Sequence, residues 1–124
     1  MLRSPNLLRR AHGPGWALVG DAGYHRDPIT GLGISDAYRD AELLTGGLDQ
    51  ALRGVTDERT ALAAYQQQRD ATLRDTFELT CALASYPPIT EFVALQKRLS
   101  AAIDVDASTV AARPAPGNRE PTAA

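Results

Sequence analysis

Cysteine is nearly absent: Cys81 stands alone among 124 residues. A single thiol excludes an intramolecular disulfide and gives no reason to look outside a reduced, cytoplasmic setting, which is the expectation here. Histidine is scarce as well, with two in the chain. Two histidines and one cysteine are too few for a protein-built zinc site, so no metal is expected. No apolar run approaches the ~18 residues of a membrane span, and no signal-peptide core follows Met1. A basic stripe is missing too. The net charge is −2 with both signs interspersed, which argues against nucleic acid as a partner. The cluster Arg3, Arg9, Arg10 and His12 is short and broken by Pro5, Gly13 and Pro14. It reads as a solvated loop or strand edge; the other reading, a transit peptide, needs an amphipathic helix that these residues interrupt.

What the chain does have is enough apolar material for one modest core, at 44% of residues. Most of it falls between Trp16 and Ile103, which sets an ordered part at 1–103 and a disordered tail at 104–124, where Ala, Pro, Thr and charged residues dominate. Trp16-Ala17-Leu18-Val19 is a short apolar run between glycines. It is too brief for a helix and does not alternate, so it reads as a strand buried on both faces. No second strand of similar quality follows, although such a strand needs neighbours for its backbone groups. Three helices are expected after it. The first opens near Gly33-Ile34 and carries an apolar face at Ile34, Ala37, Tyr38, Ala41, Leu44, Leu48 and Leu52, with Gly46-Gly47 as a kink or early end and Gly54 as the better stop. The second is capped by Asp57, carries Leu62, Tyr65, Arg69, Leu73, Thr76, Phe77, Thr80 and Leu83 at spacings of three and four, and ends near Ser85, before Pro87-Pro88; the third begins near Thr90.

The chemistry concentrates between Gly20 and Leu44. A strand ends at Gly20-Asp21, a glycine-rich loop runs to Gly33, and a helix opens there. A helix start exposes unpaired N–H groups and the positive end of a dipole, which suits an anion or partial negative charge. Gly31 and Gly33 have no side chains, so a flat ligand can approach the backbone. Asp21, at the end of the strand, suits a ribose or ribityl hydroxyl.

Gly20-Asp21-Ala22, Asp27-Pro28, Gly31, Gly33, Asp36-Ala37 and Asp40-Ala41-Glu42-Leu43-Leu44 resemble, in order, the G-D motif of FAD-dependent aromatic hydroxylases and their relatives. The resemblance covers about thirty residues. It implies an α/β fragment, mostly helical, belonging to a three-layer FAD-binding fold. It further implies that Gly20 and Asp21 meet the ribityl chain, that Pro28, Gly31, Leu32 and Gly33 lie against the isoalloxazine ring, and that amides from Ile34 onward face its N1/C2 edge. FAD is then the cofactor and NAD(P)H the reductant. In the intact enzyme, reduced flavin and oxygen would hydroxylate a small substrate; a flavin-dependent halogenase or a reductase are the alternatives within the resemblance.

The chain also departs from the pattern. Tyr24 holds the place of the family's histidine, with His25 one position later, and Ser35 stands near a common asparagine. The N-terminal G-x-G-x-x-G that would bind the pyrophosphate is missing: Gly13-Pro14-Gly15 precedes its strand and reads as a turn, and Gly31-Leu32-Gly33 lacks the third glycine. The expectation is a C-terminal part of an enzyme, inactive alone, with association through its unpaired strand. The rival is a small helical interaction module without catalysis. No catalytic residue is assigned. Asp36 and Asp40 read as a solvated charge set, Gln66-Gln67-Gln68-Arg69 as a polar helix face, His25 as a surface or hydrogen-bonding residue, and Trp16, Tyr38, Tyr65 and Cys81 as core.

Overall fold

A computed structural model describes residues 5–112. It is mostly helical, with α1 at Gly33–Leu52, α2 at Glu58–Ala84 and α3 at Ile89–Ala111. Ahead of them lie four two-residue strands: β1 at Leu7–Leu8, β2 at His12–Gly13, β3 at Trp16–Ala17 and β4 at Tyr24–His25. β2 and β3 form one antiparallel pair, β1 and β4 another.

The helix limits follow local chemistry. Gly54 takes φ +71° directly after the end of α1, a conformation glycine reaches without a Cβ penalty. The Asp57 side chain accepts the Thr60 N–H at 2.9 Å and starts α2 by satisfying one of its leading amides. α2 ends at Ala84, just before Pro87-Pro88, and α3 opens on Pro88. Gly46 and Gly47 do not end α1. A Cβ on Gly47 would stand 3.4 Å from the Ala61 carbonyl oxygen, so the missing side chain lets α2 approach closely. The core sits between α2 and α3, where Leu79, Leu83, Leu95 and Leu99 meet, flanked by Ile29, Leu32, Phe92 and Ile103.

Three expectations need correction. Trp16–Val19 is not a doubly buried strand. Only Trp16–Ala17 is paired, in a hairpin whose turn is Pro14-Gly15, and Trp16 is 46% exposed with its ring over Gly13. The pairing partner is local, and among the described residues the pair stays a two-stranded sheet. The tail does not begin at 104 either: α3 continues to Ala111, where Asp106 gains an ion-pair partner in Arg39 at 3.0 Å. Residues 113–124, the rest of that expected tail, lie outside the described residues. Finally, the apolar face assigned to α1 points the wrong way in its first half. Ile34 and Tyr38 are 75% and 76% exposed, while Asp36, Arg39 and Asp40 are buried. Tyr65, by contrast, is core as expected. Among the described residues no helix is long and apolar enough to cross a membrane.

Candidate functional site

The backbone is extended through Val19 and then enters a single 3-10 turn, Gly20–Ala22. A second such turn, Pro28–Thr30, is capped by Asp27, whose side chain accepts the Ile29 N–H at 3.0 Å. Gly31 follows at φ +67°, and α1 starts two residues later. The two turns and the first turns of α1 enclose a cleft of about 890 Å³.

All seven positions singled out in the sequence line this one cleft: Gly20, Asp21, Pro28, Gly31, Leu32, Gly33 and Ile34. A Cβ built on Gly33 would stand 3.9 Å from Asp21 Oδ1, which puts the carboxylate across the mouth of α1. Nothing lies within 4 Å of a Cβ built on Gly31, so that side of the loop is open. The Asp21 carboxylate is itself 74% exposed and stands 3.6 Å from His25 Nδ1. No side chain caps α1 at Leu32, and its leading amides are therefore left without a side-chain acceptor. Val19, Ala37 and Ala41 add an apolar wall. Among the described residues no group of three or more His, Cys, Asp or Glu could hold a metal ion.

A polar layer that sequence spacing did not reveal adjoins the cleft, with Tyr24, Arg26 and Asp36 among the residues that line it. Asp36 pairs with the guanidinium of Arg26 and, at 2.9 Å, with Arg39 Nη2. Arg26 also donates to Thr76 Oγ1 at 2.9 Å, and Arg39 reaches Asp106, so the loop after β4, α1, α2 and α3 all contribute to one network. The charges read as solvated are therefore enclosed, because each has a partner from a distant part of the chain. Tyr24 is 2% exposed and borders this layer. Burial first, then the Asp36 and Asp40 charges, push its hydroxyl far above the ordinary tyrosine range, against Arg39 and Arg26. Burial likewise raises the Asp40 carboxyl, against the Gly20 N–H and the charges of Arg39 and Arg69. Arg69, read both at helical spacing with Leu62, Tyr65 and Leu73 and as the end of a polar run, is wholly enclosed, and Tyr38, read as core, is at the surface. Cys81 is half-buried, and burial followed by the Glu78 charge raises its thiol, as suits a packing role.

Tyr65 donates its hydroxyl to the Leu18 carbonyl at 2.7 Å. Burial and the Asp40 charge push it up from 10.0 to about 12. The unfolded chain thus loses this proton first, so the associated stability is complete below pH 10 and is lost as pH rises toward 12. Tyr65→Phe is expected to lower stability by about 1 kcal/mol at neutral pH, through the lost hydrogen bond. It should also make the alkaline decline shallower. Chemical denaturation across that pH range checks both, and an unchanged alkaline slope would count against the enclosure of the hydroxyl.

Comparison with protein-family models, curated proteins and solved structures found no match to this chain.

Proposed function

We propose that this chain is the part of an FAD-dependent oxidoreductase, monooxygenase-like in type, that holds the ribityl chain and the isoalloxazine ring. The observation that supports this most is the convergence of an exposed carboxylate, a loop with glycines at 31 and 33, and an uncapped 20-residue helix on one cleft. Asp21 would accept hydrogen bonds from the ribityl hydroxyls. Gly31 and Gly33 leave room for a flat ring, a space that a Cβ would partly fill. The leading amides of α1 would donate to the ring edge that gains negative charge on reduction, and the helix dipole favours that charge. When bound, FAD supplies electron transfer and oxygen chemistry, with NAD(P)H as the source of electrons. The chain's own contribution is to orient the ring and bias its charge. A small-molecule substrate belongs to the intact enzyme, and the soluble cytoplasmic setting expected from the sequence is part of the same proposal.

Pyrophosphate and adenosine contacts come from a dinucleotide-binding unit that this sequence does not contain. Alone, the chain therefore binds FAD weakly and catalyses nothing. Joined to a G-x-G-x-x-G unit, it is expected to purify yellow, and Asp21→Ala should then weaken flavin binding about tenfold or more, the value of one hydrogen bond to a charged group. Flavin absorbance after dialysis and a titration with FAD measure this. A colourless joined protein, or full flavin retention by the variant, would overturn the assignment.

A further inference from the structure

Helix α2 meets the N-terminal segment with several hydrogen-bonding side chains. Within little more than one turn, Tyr65 donates to the Leu18 carbonyl at 2.7 Å, Gln66 Oε1 accepts the Ala11 N–H at 2.8 Å, and Arg69 Nη2 donates to the Arg9 carbonyl at 2.8 Å. Each partner is a main-chain group of the segment leading to Asp21. A strand in a sheet normally finds those partners on a neighbouring strand. Here three side chains of one helix meet several of them instead.

The same arrangement reaches the turn that carries Asp21. Gly20 opens it at φ +55° and donates its N–H to Asp40 Oδ2 at 3.0 Å; the Gly23 N–H closes it on the Gly20 carbonyl at 2.8 Å. Arg69 lies beneath: a Cβ on Gly23 would fall 2.9 Å from its Nη1. Its guanidinium also stands 5.7 Å from the Tyr24 ring centroid. Asp40 and Arg69 are both fully enclosed, one on α1 and the other on α2. Enclosed polar side chains bound to main chain hold that chain in one geometry, because releasing them leaves unsatisfied polar groups.

We infer that Asp40, Tyr65 and Arg69 are positioning residues that hold the Gly20–Gly23 turn in its final shape within this chain alone, before any sheet or ligand is added. They touch neither the cleft's prospective ligand nor one another's backbone partners; they act through the turn. The inference concerns the turn and stands independently of what Asp21 meets.

Amide exchange followed by NMR on the full 124-residue chain tests it. The Gly20 and Gly23 amides are expected to be protected in the wild type. Asp40→Leu should speed Gly20 exchange about tenfold or more, in keeping with a hydrogen bond to a charged group, while helix amides away from the turn keep theirs. Asp40→Asn retains an acceptor oxygen and should restore most of the protection, which a simple packing role would not predict. Should Asp40→Leu fail to fold, Tyr65→Phe removes a single contact at the Leu18 end and should speed amides from Leu18 to Gly23 more than the uniform rise in helix amides that its lower global stability brings. An unprotected Gly20 amide in the wild type, or equal damage from the Asn and Leu variants, would overturn the inference.

Discussion

Asp36→Ala is expected to lower folding stability by about 3–5 kcal/mol, the range for breaking an enclosed ion pair by removing one partner. Asp36 is 2% exposed and balances Arg26 and Arg39 together. Without it, Arg39 keeps Asp106, but Arg26 is left with the Thr76 hydroxyl and remains enclosed. The cost is chiefly that of a charge stranded away from water. Exchanging both members for apolar residues of similar volume, Arg26→Met with Asp36→Leu, should recover most of the loss, since such replacements are often neutral. Urea denaturation of the three proteins distinguishes these outcomes. A single Asp36→Ala variant within about 0.5 kcal/mol of the wild type would be the behaviour of a surface residue and would contradict the enclosure.

Arg69→Met should cost about 3 kcal/mol, because the hydrogen bonds of a charged group are lost while its partners stay behind. The guanidinium holds the Arg9 carbonyl at 2.8 Å and the Asp70 carboxylate at 2.7 Å. The local effect is more telling than the global one. Arg9 and Arg10 are exposed and are cleavage points for trypsin, yet cleavage needs the backbone there to leave its place. Limited trypsin digestion under native conditions should therefore cut the variant at Arg9 or Arg10 well before the wild type. Equal digestion rates would mean that the N-terminal segment is held by something else.

The helices were legible in the sequence because their ends are written in residues with local effects. Gly54, Asp57 and Pro87-Pro88 act within a few positions, so spacing alone places them. The cleft was legible for a similar reason: Gly20 to Ile34 is one continuous stretch, and both of its turns are short-range. What spacing could not convey was the destination of a charge. Asp36 meets Arg26 ten residues away, Arg39 meets Asp106 at a separation of 67, and Arg69 meets Arg9 at 60. A helix wheel treats such residues as facing water, and so it assigned Ile34 and Tyr38 to the interior and Asp36 and Asp40 to the surface. Trp16 failed differently. Its glycine-flanked apolar run suggested a sheet centre, whereas Pro14-Gly15 folds it back on His12–Gly13 in a two-residue pair. One signal was available for Arg69: it occupies a position at helical spacing from Leu62, Tyr65 and Leu73, all of which are enclosed.

The reversed first half of α1 alters what counts as a conservative change there. By hydropathy, Ile34 and Tyr38 would be guarded and Asp36 and Asp40 free to vary. In this molecule a lysine at Ile34 meets solvent, whereas a leucine at Asp40 takes away the acceptor of the Gly20 amide. Variation at the outward pair is thus a question for whatever comes to rest on that surface, and variation at the inward pair is a question for the chain itself.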